Sequence, residues 1–260
     1  MIKMLLIQLI NLVTIIFKIS IHFFKELVYN INIDEIVKKG VWFQLTCVIA
    51  YKDNDKVYIG ADSLSSSQQT MERIPRRDRK VFRLKDREDI LIGFCGSYRM
   101  GQLLQSQPGL LQYSEIQIDE ESGETIEEVK EVENLDYDAM IDVFVPNVVE
   151  LFKAADFAVN SEVGLLGGNF FVATKDRFFY VLGDFSVADI DADYFAIGCG
   201  GPYAIGALDV LKDNQKMPVT RKIEKALRVA RNNAMGIDAP YLILNTLDDK
   251  EIKIKKWDNI

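Results

Sequence analysis

Residues 46–62 read TCVIAYKDNDKVYIGAD. Two apolar, β-branched runs, TCVIAY and KVYIGAD, flank the polar turn KDND, which is the pattern of a strand hairpin. The hairpin opens on Thr46 and delivers Asp62 sixteen residues later. Lys80 starts the next strand, KVFRL, which pairs with DILIGFC around the turn KDRE. The glycine turn GFCGS closes that second strand and places Gly96 at its end. Threonine, carboxylate, lysine and a turn of backbone N–H groups are the parts of a threonine nucleophile whose base is its own α-amino group. An amine tied up in a peptide bond is no base, so this reading requires Thr46 to become residue one.

Composition removes several alternatives. Net charge is −8, and a nucleic-acid-binding chain needs a basic face. Cys47, Cys95 and Cys199 are far apart, with no CxxC pair, so neither a zinc site nor a disulfide framework is indicated and a reducing cytosol fits best. The only histidine is His22, so Thr46 onward holds no Ser-His-Asp or Cys-His mechanism. No GxxxxGK[ST] motif occurs, so any use of ATP falls to a partner. No metal or other cofactor is expected.

Residues 1–45 have a different character. MLLIQLINLVTIIF is an apolar run between Lys3 and Lys18, interrupted by Gln8, Asn11 and Thr14. It is shorter than the roughly 20 apolar residues of a membrane span, so membrane insertion is not expected. It suits the apolar region of a signal peptide better, but no small-residue cleavage site follows it. Three readings stay open: translation that truly starts at Leu45, a cleaved propeptide, and a membrane-surface anchor. The first would leave Thr46 with a free amine, because an initiator Met is removed before a small residue.

The remainder, 46–260, reads as one domain. YRMGQLLQSQ is a helix, and a polar, acidic excursion from Pro108 to about Asp138 contains a hairpin tipped by Ser122–Gly123. A helix from about Asp136 to Asp156 follows. NFFVATKDRFFYVLGD is a hairpin, and YFAIGC is a short buried strand. GGPYAIGALDVL starts a helix with Pro202 in its first turn. Thr220 is expected to cap the next helix, with Gly236 just past its end. YLILNTL and EIKIKKW form the last hairpin. Hairpins imply antiparallel sheets, and the nearly continuous apolar runs imply strands buried on both faces. The expected fold class is α+β, a four-layer αββα sandwich. The helices carry apolar residues around much of their girth, which predicts that Met100, Leu103 or Leu104 is left for a neighbouring subunit.

The chain resembles the proteasome β-subunit and HslV group of N-terminal nucleophile hydrolases. TCVIAYKDNDKVYIGAD is similar to that group's opening hairpin, KVFRL to the strand that begins with its lysine, and IGFCGSYRMGQLL to its IAGxxGxxAD segment. AIGCGGPYAIGAL is similar to AIGSGGPYA, and IEKALRVARNNAMG to the late helix that ends near the active site. The combination looks closest to a little-described group of HslV-like proteins in bacteria and phages. The resemblance implies Thr46 as nucleophile, Asp62 and Lys80 as its supporting pair, and the Gly96 N–H facing the oxyanion. Cys199, Asn232 and Gly236 would support the site. The first stands where the family usually has a serine, and the second where proteasomal β subunits have an aspartate. Met235 replaces a further serine. Cys47 points to the opposite strand face from Thr46 and is not the expected nucleophile.

The function so implied is a threonine peptidase acting on peptides or unfolded protein. It would work inside a homo-oligomeric ring in the cytoplasm, served by a separate ATP-dependent unfoldase. An inactive structural subunit and a small-amide hydrolase are the alternatives on the same fold.

Overall fold

The computed structural model describes residues 45–66, 73–118, 125–161 and 164–255. Residues 1–44, with their membrane or propeptide readings, and the Ser122–Gly123 tip lie outside them. Strands β1 (Val48–Asp53), β2 (Lys56–Ala61), β3 (Leu64–Ser66), β4 (Arg73–Pro75), β5 (Val81–Leu84) and β6 (Arg87–Cys95) come first. Helix α1 (Tyr98–Ser106) and the hairpin β7 (Gln112–Ile118) and β8 (Thr125–Glu131) follow. Helix α2 runs as Tyr137–Ala139, a π-helical stretch Met140–Phe144, and Val145–Ala154. Next come β9 (Val159–Ser161), β10 (Gly164–Leu166), β11 (Asn169–Ala173), β12 (Phe178–Val181), β13 (Val187–Asp189) and β14 (Tyr194–Ile197). Helices α3 (Gly201–Leu211) and α4 (Val219–Asn233) precede β15 (Tyr241–Asn245) and β16 (Ile252–Ile254).

Two five-stranded antiparallel sheets carry the fold, in the orders β14-β1-β2-β15-β16 and β13-β12-β11-β6-β5. Strand alternation divides their side chains among three cores. Val48, Ala50, Ile59, Leu91, Phe171, Leu242 and Leu244 fill the space between the sheets. Ile49, Tyr51, Tyr241 and Ile243 point the other way, beneath α3 and α4 with Leu208, Ile223 and Leu227. Ile90, Ile92, Phe94, Phe170 and Val172 point outward from the second sheet, under α1 and α2 with Met100, Phe144 and Phe152. The layers are therefore αββα, as expected. Burial on both faces explains why these strands read as unbroken apolar runs.

Two local expectations are corrected. Thr220 is not the cap of α4: the helix starts at Val219, Pro218 holds the N-cap position, and the Pro218 carbonyl accepts from Arg221 N and Lys222 N. Met100, Leu103 and Leu104 are not left for a neighbour but are buried in the core beneath α1. Two glycines here let core side chains lie directly against the backbone. A Cβ on Gly101 would lie 2.1 Å from the Phe94 ring, and one on Gly168 2.2 Å from Met100 Sδ. Arg99, Gln102 and Gln105 supply the exposed face of α1 instead.

Candidate active site

Three sequence-distant side chains meet at the end of the β1–β2 hairpin. The Thr46 hydroxyl donates to Asp62 Oδ1 at 2.5 Å and accepts from Lys80 Nζ at 2.5 Å. Lys80 Nζ also donates to both Asp62 oxygens at 3.0 Å and to the Leu64 carbonyl at 2.7 Å. The Lys80 side chain is 4% exposed and that of Asp62 is fully covered. A buried charge is tolerable only when paired and hydrogen-bonded, and both conditions hold for this pair.

The scaffold fixes Asp62 from the other side as well. Cys47 N donates to Oδ1 and Leu64 N to Oδ2, each at 3.1 Å. Hairpin pairing of Val48 with Ala61 brings the two ends of the motif together, which is why a spacing of sixteen works. Lys80 is placed by its own backbone, whose carbonyl accepts from Phe94 N at 3.0 Å and so ties it to β6. Gly96 follows β6 at φ +98°, a left-handed conformation that glycine adopts freely.

The Thr46 carbonyl has its own cradle. Gly200 N donates to it at 3.2 Å, and Cys199 Sγ lies 3.6 Å from it and 3.4 Å from the Met235 carbonyl, with its single S–H shared between the two. Gly198 has φ +90°, and a Cβ there would stand 2.3 Å from the Thr46 carbonyl oxygen. Asn232 lies on the exposed face of α4, and Gly236 turns the chain beyond it at φ +75°. Cys47 is fully buried on the α3/α4 side of the sheet, turned away from Thr46. Burial, then the Asp62 charge, pushes its thiol well above the usual range. Burial does the same to Cys199 and Cys95.

Sequence reading missed two contributors. One is the Leu64 carbonyl, the third acceptor of Lys80; a backbone oxygen leaves no trace in residue identity. The other is Tyr98, two residues after Gly96. Its ring centre is 5.9 Å from Lys80 Nζ and 3.9 Å from the Arg76 guanidinium carbon. Burial, with the Asp62 and Asp78 charges, pushes its phenol up. Its hydroxyl is buried and has no hydrogen-bond partner among the described residues. An aromatic directly after GFCGS was the available signal. Among the described residues no cluster of histidine, cysteine or carboxylate side chains could hold a metal, and no helix is long and apolar enough to cross a membrane.

No family model matches the chain. It is 28% identical over 188 residues to the ATP-dependent protease subunit HslV of Caldicellulosiruptor saccharolyticus, covering 72% of this chain and 90% of that one. Among solved structures, Thiobacillus denitrificans BPH superimposes with a TM-score of 0.57 at 15% identity, over 81% of this chain and 99% of its own. Eukaryotic HslV from Trypanosoma brucei gives 0.52 at 18% identity, over 77% and 98%. Anbu, an ancestral beta-subunit from Yersinia bercovieri, gives 0.54 at 14% identity, over 81% and 88%. The layered fold and these likenesses agree: the chain is similar in sequence to HslV and shares the proteasome-like N-terminal nucleophile hydrolase fold of HslV, BPH and Anbu.

Proposed function

We propose that the protein is a threonine-type peptidase in which Thr46, freed of residues 1–45, is the N-terminal nucleophile. The observation that carries this reading is the buried triangle of Thr46, Asp62 and Lys80. One partner would satisfy a buried hydroxyl; this one is held at once by a lysine and a carboxylate, the charged pair that a threonine nucleophile requires beside it.

The chemistry follows from the liberated amine. An α-amino group has an unperturbed pKa of roughly 7.7–8.0, so a neutral fraction exists near pH 7. Lys80 beside it favours the neutral form by like-charge repulsion. The amine takes the hydroxyl proton, directly or through one water, as Thr46 Oγ1 attacks the scissile carbonyl. The Gly96 N–H faces the developing oxyanion, a contact typically worth about 10²–10³ in kcat. The amine then gives its proton to the departing nitrogen, leaving an ester on Thr46. Water, deprotonated by the same amine, hydrolyses that ester and restores the hydroxyl.

Peptides or unfolded protein are the proposed substrates, and a homo-oligomeric ring in the cytoplasm the proposed setting. No cofactor is needed by this chemistry. The HslV relative is an ATP-dependent protease subunit, and this chain lacks a Walker-type motif, so a separate unfoldase is the proposed source of ATP dependence. N-terminal sequencing of the native protein tests the reading. A chain that begins at Thr46 supports it, and an active preparation that uniformly retains residues 1–45 overturns it.

A further inference from the structure

The β7–β8 hairpin takes no part in the site. Its strands pair from Gln112–Glu131 to Ile118–Thr125. The register sets Ser114 opposite Val129 and Ile116 opposite Glu127, so Val129, Ile116 and Ile118 share one face. These three are 65, 68 and 71% exposed, an apolar stripe left in water. The root of the hairpin is nevertheless firm. Asn147 Nδ2 donates to the Leu110 and Gln112 carbonyls, and Arg87 to those of Val132 and Glu133. That root sits at the Arg87 end of β6, opposite the Gly96 end. A lone two-stranded hairpin is marginal in water, so a rooted arm with an exposed stripe is built to lie against something.

Charge narrows what that something is. Residues 112–133 hold nine acidic side chains and one lysine. Two such arms repel each other. The first sheet ends, among the described residues, at the edge strand β16. There Ile252 and Ile254 alternate with exposed Lys253, and Lys255 follows. Lysines on an edge strand block pairing with another basic edge, so two β16 strands also repel. An arm against β16 suffers neither repulsion. Glu-Ile-Gln-Ile of residues 115–118 and Ile-Lys-Ile-Lys of residues 252–255 match in alternation and oppose in charge.

We propose that the β7–β8 arm of one copy of this chain adds as a strand to the β16 edge of a second copy. The inference rests on the ring reading and gives it a contact. Backbone hydrogen bonds supply the pairing, and the alternating isoleucines and opposite charges fix the register. Arm and edge are different surfaces, so each copy gives one and receives one. Head-to-tail contacts of this kind close into a ring when the rotation between successive copies closes. β16 is short, so one contact alone is small, and ring closure makes the contacts reinforce one another.

The test is the mass of the full-length chain by light scattering at low salt. Four proteins are compared: the parent, E127K/E128K on the arm, K253E/K255E on the edge, and all four changes together. The expected result is an oligomeric parent, a several-fold lower mass for either two-site variant, and recovery of the parent mass in the combined variant. All four side chains are on the surface, and equal melting temperatures confirm that the variants fold. An oligomeric parent whose two-site variants keep their mass overturns the arm contact but leaves the ring reading standing. Loss of mass in the arm variant alone shows that the arm meets some surface other than β16 and also overturns the proposal. A monomeric parent overturns the arm contact and the ring together.

Discussion

Lys80 Nζ sits 3.0 Å from each oxygen of the Asp62 carboxylate, with both side chains removed from water. Among the described residues no other charged side chain is hydrogen-bonded to either member. Removing one therefore strands the other, which in buried pairs costs about 3–5 kcal/mol. Asp62→Asn should lower stability by about 3 kcal/mol and cut peptide hydrolysis at least about 10²-fold. Denaturant unfolding and a fluorogenic peptide assay check the two effects. A variant of parental stability would show that the pair is not electrostatically coupled.

Lys80→Ala should reduce kcat by at least about 10²-fold. It should also move the rising limb of the pH profile upward, because loss of a neighbouring positive charge raises the pKa of the amine. A variant with lower activity and an unmoved profile would assign Lys80 a purely structural role.

Gly198→Ala probes the cradle under Thr46. Its φ of +90° disfavours any side chain, and the new Cβ would lie 2.3 Å from the Thr46 carbonyl oxygen. Left-handed strain alone costs about 1–3 kcal/mol. The backbone carrying the nucleophile must shift, so activity should fall by more than stability does. Parallel melting curves and peptidase rates separate the two.

The buried thiols predict an alkaline weakness. Burial holds Cys47, Cys95 and Cys199 protonated above their usual range. Their folded-state pKa values are raised, so their contribution is whole below the unfolded value of about 8.5 and is lost as pH climbs beyond it. Urea midpoints should fall between pH 8 and pH 10, and fall less in Cys47→Ala/Cys95→Ala. An equal fall in both proteins would mean that other groups govern the alkaline limb.

The layer order was legible because β1, β6, β11 and β15 are apolar on both faces and long enough to show it. The triangle was legible because hairpin pairing converts a spacing of sixteen into contact. The three-residue strands β3, β4, β9, β10 and β13 were not, since three residues carry no period; β16 is as short but lies within the longer alternating run EIKIKKW. Met100, Leu103 and Leu104 were misjudged because apolar girth does not say how much of a helix is covered. All three belong to the core cluster with Phe94, Phe144 and Phe152, and Gly168 lets Met100 lie against the backbone there. Thr220 lost its cap role to a proline two residues earlier, whose carbonyl already serves the first turn.

The central claim is that the Thr46 hydroxyl forms the ester. A chain beginning at Thr46 and the same chain carrying Thr46→Ala are to be compared for peptide hydrolysis, with circular dichroism confirming that both are folded. The account predicts hydrolysis by the first and none measurable by the second. Residual activity within tenfold of the parent would contradict it.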